Sequence, residues 1–156
     1  MRFFFFILSA ALWVSILSCG SAGTSQHLKT DENGWTDDYE GGLKVAKASG
    51  KKALVLFTGS DWCRPCMFLE SKVFQSEEFK ALTKDFVLIR LDFPRRHPID
   101  PEIKKRNRSL GNNYGVRGYP TVVALGPDGK EITRWVGFRP SDKDKYIANL
   151  KGLLSK

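Results

Sequence analysis

The sequence predicts an α/β domain of three layers, in which a mixed sheet lies between helices on both of its faces. Two runs, Ala53–Thr58 and Phe86–Phe93, are almost continuously apolar, as is typical of strands that are covered on both faces. Helical patterns separate these runs, so we expect parallel strands joined by crossover helices. A turn-forming sequence at Gly126–Gly129 separates two later strand patterns and predicts an antiparallel hairpin that closes the sheet.

Capping residues and apolar spacing place the helices of the first half. Thr36–Asp38 offers side-chain oxygens and negative charge for the start of a helix, and apolar spacing continues to about Ser49. Gly50 suits the C-terminus of this helix. Beyond the first strand, a second helix is predicted to begin at Met67 and to continue to about Val73. A short third helix is predicted over Ser76–Lys84.

The second half contains one more crossover, the hairpin and a final helix. Asp100–Asn112 begins with Asp-Pro, which suits a helix N-terminus. Thr121–Leu125 and Lys130–Val136 are the two strand patterns of the hairpin. Ser141–Asp142 is expected to cap the last helix, which has an apolar face formed by Tyr146, Ile147, Leu150, Leu153 and Leu154. The predicted order is therefore α, β, α, α, β, α, β, β, α.

The N-terminus is predicted to be a separate targeting segment. Arg2 gives it a positive start, and Phe3–Leu17 is an almost unbroken apolar run. This run is shorter than the ~20 residues that a membrane-spanning helix needs, but it fits the core of a secretory signal peptide. We therefore expect a signal peptide in residues 1–19, a flexible tether of small polar residues in 20–34, and the folded domain in 35–156.

Three interpretations of the end of the targeting segment remain open. An ordinary signal peptide would be cleaved between Ser18 and Gly23. A lipoprotein signal would attach lipid to Cys19, since Ile16 and Ser18 fit that pattern, although Leu17 is bulkier than usual. The third interpretation is an uncleaved membrane anchor.

The chain is basic, with a formal net charge of +8 over 156 residues, and loss of residues 1–19 would remove only the charge of Arg2. Export directs the chain away from nucleic acid, so we expect no nucleic-acid partner. The basic residues are scattered except in one stretch, which holds Arg95, Arg96, His97, Lys104, Lys105, Arg106 and Arg108. That stretch is either a solvated surface helix or a basic rim that recruits acidic partners or lies against anionic lipid.

Cys63 and Cys66 are the candidate reactive residues. A zinc site needs about four ligands, and beyond His27, His97 and Cys19 the sequence offers no second ligand pair at suitable spacing, so we predict no metal. A structural disulfide over so short a loop would stabilise the fold little. A redox disulfide, Cys63–Cys66, remains the favoured interpretation, because the pair lies between a buried strand and a helix.

This position assigns a role to each cysteine. The unpaired N–H groups and the positive end of a helix stabilise a thiolate, so Cys63 is predicted to have a lowered pKa and to act as the nucleophile. Arg64 adds positive charge, and Pro65 fits an early helical position. Cys66, one turn deeper, would be more shielded and would resolve the mixed disulfide.

Gly118-Tyr119-Pro120-Thr121 lies just before the third predicted main strand. An aromatic residue before proline makes a cis peptide bond more accessible, and proline is tolerated at the start of a strand. The alternative is an ordinary trans turn.

Together, Leu54–Cys66, Tyr114–Thr121 and the Gly126–Gly137 hairpin resemble the thioredoxin superfamily over roughly residues 35 to 155. Trp35 with the helix after it, Lys51 and Phe57–Cys63 are more narrowly similar to bacterial exported thioredoxin-like proteins of the DsbH type. The resemblance implies a thioredoxin-like three-layer fold.

The same resemblance implies the surroundings of the dithiol. Pro120 would be a cis-proline packed against the sulfurs, where it keeps metals away, and Trp62, Tyr119 and the segment at Gly137 would line the docking surface. Cytosolic thioredoxins carry a buried aspartate where this chain has Phe57. Asp61 is nearby but is expected to be exposed, so the sequence leaves the proton acceptor for Cys66 open.

The dipeptide between the cysteines bears on the direction of electron flow. Pro65 is shared with reducing thioredoxins, whereas strongly oxidising members have histidine there, so we predict a reductase of disulfides in envelope proteins of the bacterial periplasm. Arg64 acts in the opposite direction, and an oxidase or an isomerase remains open. The resemblance implies an upstream membrane electron donor, no bound cofactor and, since no segment resembles a dimerisation module, a monomer. A non-catalytic binding module and a copper-delivery protein are the rivals from other classes.

Overall fold

The structure, a computed structural model, describes residues 28–155. The predicted signal peptide, Cys19 and the first part of the tether lie outside the described residues.

A five-stranded mixed sheet forms the centre of the described chain, in the order β1-β3-β2-β4-β5. Its strands are β1 (Trp35–Thr36), β2 (Lys52–Thr58), β3 (Phe86–Asp92), β4 (Thr121–Leu125) and β5 (Glu131–Val136). β3 pairs in parallel with β1 and β2, while β4 pairs antiparallel with β2 and β5. The predicted parallel pair and the closing hairpin are therefore confirmed.

In residues 28–155, five helices cover the sheet: α1 (Tyr39–Ser49), α2 (Arg64–Leu69), α3 (Glu77–Thr83), α4 (Pro101–Asn113) and α5 (Lys143–Leu154). A π-helical turn, Glu70–Phe74, continues α2 without a break, and a 3-10 turn, Pro140–Asp142, precedes α5. Within residues 28–155 no helix is long and apolar enough to cross a membrane.

Three details of the predicted elements were wrong. The strand β1 was missed, because two residues at a sheet edge are too few to show a period. The active-site helix begins at Arg64, before the apolar residues that marked it. Asp142 stands at the N-cap of α5 without bonding its backbone, since the Asp142 carboxylate accepts a hydrogen bond from Arg139 Nε at 3.0 Å instead.

The two faces of the sheet hold separate cores. Leu54 and Leu56 of β2 pack in one cluster with residues of α2, α3 and α5. Val55 and Phe57 point to the opposite face and pack with residues of α1. Because successive side chains of a strand alternate between faces, a continuously apolar β2 supplies both layers. This double burial fixes β2, and with it the position of the residues that follow its carboxyl end.

The part of the tether that the structure describes is attached to the domain. The Asp31 carboxylate accepts hydrogen bonds from the backbone N–H groups of Asn33 and Trp35, both at 2.9 Å. Arg90 of β3 donates to the other carboxylate oxygen at 3.3 Å, and Leu28 packs against the core on the α1 side. The segment before Trp35 thus contacts the sheet from residue 28 onward.

Candidate active site

The cysteine pair lies where β2 ends and α2 begins. Cys63 and Cys66 form a disulfide with their Cα atoms 5.2 Å apart. Cys63 is the N-cap of α2, and its Sγ accepts a hydrogen bond from the Cys66 N–H at 3.3 Å. Pro65 lies in the first turn, where its missing N–H leaves no bond unmade. The sulfur at this position therefore faces backbone donors and the positive end of a helix, as a thiolate requires.

The expected difference in shielding between the two cysteines is not seen in the oxidised pair. Cys63 is 5% exposed and Cys66 is 4% exposed, so both are buried. Their positions still differ: Cys63 caps the helix, whereas Cys66 lies within its first turn and borders the cavity described below.

Trp62 is fixed beside the pair by contacts on several sides. Its Nε1 donates to the carbonyl of Phe93 at 2.8 Å, and its ring meets the Tyr119 ring edge-on at 5.7 Å between centroids. Phe93 also packs against Tyr119 at 5.1 Å. A Cβ on Gly59 would lie 2.5 Å from the Trp62 ring, so the absence of a side chain there makes room for the indole. Three aromatic residues from three segments thus form one wall of the site.

The Tyr119–Pro120 peptide bond is cis, and the alternative trans turn is wrong. The Gly137 N–H donates to the Pro120 carbonyl at 2.7 Å, which joins the hairpin to this segment. Thr121 Oγ1 donates to the Gly118 carbonyl at 2.8 Å. Pro120 itself is buried at the start of β4, the strand next to β2. The segment after β2 and the segment before β4 therefore lie at the same end of the sheet, since Phe57 pairs with Thr121.

The Asp61 carboxylate is enclosed instead of exposed, which corrects the expectation from the sequence, while the residue as a whole is half-buried. Its side chain is 6% exposed, because the carboxylate accepts backbone hydrogen bonds from Arg95, Arg96 and His97 at 2.6 to 3.2 Å. His97 Nδ1 lies 3.2 Å from the same carboxylate. Desolvation raises the pKa of Asp61, but these hydrogen bonds outweigh it and lower the pKa to about 2. Asp61 therefore stays charged and holds the loop, and it is not available to take a proton from Cys66.

The arginines near the pair differ in their contacts. The Arg95 guanidinium lies 3.6 Å from the centre of the Trp62 ring, and that of Arg64 lies 5.5 Å from the Phe68 ring. Burial raises the pKa of Tyr119, and the positive charge of Arg95 acts in the opposite direction. Arg95 therefore places its charge at the aromatic wall, a contact that the sequence alone did not indicate.

Phe57 occupies the strand position where cytosolic thioredoxins have an acid. Its side chain is fully buried and its ring packs 5.6 Å from that of Tyr114. A different carboxylate lies near Cys66: among the described residues, Glu70 is the one carboxylate in the lining of a cavity of about 300 Å³ that Cys66 borders. This cavity is large enough for water. Glu70 is therefore the candidate acceptor for the proton of Cys66 through water, on the helix side of the site instead of the strand side.

A charge network holds Glu70 in place. Arg90 Nη2 donates to Glu70 Oε2 at 3.0 Å, and Arg90 Nη1 donates to Asp31 at 3.3 Å. Burial raises the pKa of Glu70, the charge of Arg90 opposes this rise, and that of Asp31 adds to it. Sequence reasoning missed Glu70, Arg90 and Phe93. The position of Glu70, one helical turn beyond Cys66, was a signal in the sequence that could have identified it. Nothing in the sequence indicates that Arg90 contacts Glu70.

The metal interpretation of the cysteines finds no further ligands in the structure. Within residues 28–155 no three His, Cys, Asp or Glu side chains lie close enough together to hold a metal ion. The arrangement offers instead a disulfide beside an aromatic wall, with the cis peptide bond of Pro120 at the same end of the sheet.

Comparison with known proteins gives matches over most of the chain. The family model of the thioredoxin-like domain matches residues 39–151. The disulfide bond reductase DsbH of Chlamydia pneumoniae is 31% identical over 119 residues, which are 76% of this chain and 71% of that protein. The thioredoxin-related protein DsbJ of the same organism is 29% identical over 119 residues, 76% of this chain, and the match covers 34% of DsbJ.

Among solved structures, the DsbH oxidoreductase superposes with a TM-score of 0.68 at 28% identity, covering 86% of this chain and 96% of that one. The segment matched by the family model contains Cys63, Cys66 and Pro120.

Proposed function

This chain belongs to the thioredoxin-like family and is a thiol–disulfide oxidoreductase, and from this premise we propose that it is an exported reductase of protein disulfides. The observation that carries the proposal is the Cys63–Cys66 disulfide at the N-terminus of α2, with Cys63 as the helix cap. Trp62, Arg64, Pro65, Tyr119 and Pro120 are proposed to support this pair.

The proposed reaction is two successive exchanges. In the reduced protein, the Cys63 thiolate attacks one sulfur of a substrate disulfide; the substrate S–S bond breaks, a Cys63–substrate disulfide forms, and the released substrate thiolate takes up a proton. Cys66 then gives up its proton, attacks Cys63 Sγ and releases the second substrate thiol. Two electrons have passed to the substrate, and the Cys63–Cys66 disulfide that remains must be reduced again by an external dithiol donor.

The direction of the reaction is proposed from the dipeptide and from the relatives. Pro65 in the first turn of α2 has no titratable group, so it lacks the extra stabilisation that a histidine would give to the thiolate form. The relative from Chlamydia pneumoniae that matches this chain over 71% of the relative's length is named a disulfide bond reductase. Both points favour reduction over the oxidase and isomerase alternatives.

The proposed location is the bacterial periplasm, on the evidence of the apolar targeting segment in residues 1–19. The substrates would then be disulfide-containing envelope proteins. The electron donor would be a membrane protein that reduces the Cys63–Cys66 disulfide again after each reaction. A lipid on Cys19 would tether the domain to the membrane through residues 20–34, and the domain is proposed to act as a monomer.

Fatty-acid labelling of the wild type and of Cys19→Ala tests the anchor, since label that persists in the variant rules out lipidation of this residue.

Reduction of insulin disulfides with dithiothreitol as donor tests the enzymatic function. We expect the wild type to accelerate precipitation of the insulin B chain and Cys63→Ser to give the uncatalysed rate. Equal rates for the two proteins would leave the fold as a non-catalytic binding module. A Cu(I) complex far tighter than that of a simple dithiol would favour the copper-delivery alternative instead.

A redox titration of the Cys63–Cys66 pair against glutathione and dithiothreitol tests the direction. We expect a potential near that of thioredoxin, about −270 mV. A potential near about −120 mV would replace the reductase with an oxidase.

A further inference from the structure

The basic stretch that the sequence left unexplained is attached to the active site. The loop after β3 is bound to Asp61 by three backbone N–H groups and to Trp62 by the Phe93 carbonyl. Asp61 and Trp62 directly precede Cys63 in the chain. The loop is therefore not a distant surface decoration, because its residues form part of the wall beside the disulfide.

Charge in this stretch is unbalanced. Residues 95–108 hold six lysines and arginines against two carboxylates, those of Asp100 and Glu102. The Asp100 carboxylate is occupied as the cap of α4, where it accepts from the Glu102 and Ile103 N–H groups at 2.8 and 3.3 Å. The Asp61 carboxylate, which contacts the loop, is occupied by backbone donors. Among the described residues, neither Asp61 nor Asp100 forms an ion pair with an arginine.

Three arginines of the segments around the disulfide form what we call the basic rim: Arg64 between the cysteines, and Arg95 and Arg96 in the loop that is bound to Asp61. All three are exposed. In the part of the chain that the structure describes, none of the three guanidinium groups forms an ion pair with a carboxylate. The Arg95 guanidinium lies over the Trp62 ring, which places its charge at the aromatic wall, and a guanidinium over a ring keeps N–H donors free for a carboxylate.

We propose that the basic rim selects substrate proteins whose disulfide is flanked by acidic residues, with carboxylates of the substrate contacting Arg95 and Arg96 while its cysteine meets Cys63. This inference rests on the proposed reductase function and names the substrate class of the same site. A protein segment is favoured over a lipid surface, because Arg64 stands between the two cysteines and the Arg95 guanidinium lies over the ring of Trp62, the residue before Cys63, where a substrate sulfur must approach.

Two model peptides of equal length, each closed by one disulfide, separate this inference from the proposed function. One carries glutamate beside each cysteine and the other carries glutamine at the same positions. The dithiol form of the full domain, freed of excess reductant, is mixed with each peptide, and the second-order rate of thiol release is measured. We expect the glutamate peptide to react about fivefold faster at low ionic strength, and this ratio to fall toward one as salt screens the charges.

Charge-removal variants assign the effect to the rim. In Arg95→Gln/Arg96→Gln the ratio between the two peptides is expected to fall to less than half of the wild-type value. The matched control, Lys51→Gln/Lys130→Gln, loses the same charge at the other end of the sheet, where β2 starts and β4 ends, and should keep the wild-type ratio. Because Arg95→Gln could shift Trp62, the single variant Arg96→Gln is measured as well, and its ratio should also fall.

The outcomes are distinguishable. If neither peptide is reduced by the wild type, the proposed function fails. If both are reduced at equal rates at low salt, or if the control variant lowers the ratio as much as the rim variant, the function stands and this inference is overturned. A third outcome would also overturn this inference, in favour of an anionic lipid surface. In that outcome the two peptides react at equal rates, and the wild type binds phosphatidylglycerol vesicles whereas Arg95→Gln/Arg96→Gln does not.

Discussion

The guanidinium of Arg95 lies 3.6 Å from the centre of the Trp62 ring, although 32 other residues separate the two in the chain. The contact joins the loop after β3 to the residue that immediately precedes Cys63. Trp62 also bonds the Phe93 carbonyl and meets Tyr119, so the indole connects three segments of the site. Changes that displace Trp62 are therefore expected to act on both activity and stability.

Gly59→Ala tests this position of Trp62. The new Cβ would lie 2.5 Å from the ring, and the ring cannot move away without losing its bond to Phe93. We expect the free energy of unfolding to fall by about 1–3 kcal/mol, as is usual for overpacking, and insulin reduction to slow. Chemical denaturation and the insulin assay measure the two effects.

Gly152→Ala is the matched control for that substitution. Gly152 lies within α5, and a Cβ there meets nothing within 4 Å. The expected result is a gain of about 0.5–1 kcal/mol from helix propensity, with unchanged activity. If Gly59→Ala, like this control, lowered neither the free energy of unfolding nor the activity, the close approach of Gly59 to Trp62 would not be needed to hold the indole in place.

Asp61→Asn is predicted to destabilise the protein in a pH-dependent way. The folded pKa of Asp61, about 2, lies below its ordinary value of 3.8, so the charged carboxylate contributes stability above pH 3.8. That contribution is lost as the pH falls through about 2. We therefore expect the wild type to have the higher Tm at neutral pH, and the difference from the variant to shrink on acidification below 3.8.

The control for Asp61 is Asp37→Asn, which changes an exposed carboxylate. Its Tm difference from the wild type should be small and should vary little between neutral and acidic pH. A Tm difference for Asp61→Asn that stayed constant down to pH 2 would mean that the carboxylate charge does not hold the loop.

Glu70→Gln is predicted to slow the second exchange, in which Cys66 displaces the substrate. Glu70 borders the same cavity as Cys66, and the variant keeps a similar shape without a basic group. We expect the decay of a preformed mixed disulfide to slow by about a hundredfold at neutral pH, the lower end of the usual range of general-base effects. Rapid mixing with acid quench and mass spectrometry follows this decay.

The pH dependence of that step distinguishes a proton acceptor from a structural residue. Because burial raises the pKa of Glu70, the wild-type rate should increase as the pH rises through that raised pKa and the carboxylate becomes charged. Glu70→Gln should lack this increase, while Glu77→Gln, at a carboxylate whose side chain is 86% exposed, should keep it. Superimposable profiles for the wild type and Glu70→Gln would exclude Glu70 as the acceptor.

Cys66→Ser is expected to trap the first intermediate. Cys63 can still attack a substrate disulfide, but no second thiol remains to displace it, so a covalent complex should accumulate. Non-reducing electrophoresis with a disulfide-bonded substrate would show this complex, which reductant should dissolve. The reciprocal variant Cys63→Ser should form little of it; a stronger complex from Cys63→Ser would reverse the roles of the two sulfurs.

Much of the fold was predictable because its patterns are local. The apolar runs of β2 and β3, the caps at Asp38 and Ser76, and the turn at Gly126–Gly129 each act within a few residues. The strand β1 was not predictable, since its place depends on β3, which lies 50 residues further along the chain.

The candidate site divides in the same way. Cys63 and Cys66 follow from one pentapeptide, whereas the state of Asp61 depends on three backbone amides more than 30 residues away. A sequence shows that an aspartate is present, but it does not show which distant N–H groups enclose it. The same holds for Glu70, whose partner Arg90 comes from a strand on the other side of α3 in the chain.

The sulfur of Cys63 accepts the N–H of Cys66 and so belongs to the framework of α2 as well as to the chemistry. Any preference of this cap for the thiolate over the disulfide must appear twice, once in the folding equilibrium and once in the electron-transfer equilibrium. The difference between the unfolding free energies of the reduced and oxidised chains, at about 30 mV per 1.4 kcal/mol, equals the shift in potential that folding imposes on the pair. Two denaturation curves can therefore serve as an electrochemical measurement, and the more the reduced curve lies to higher denaturant, the stronger an oxidant the folded protein is.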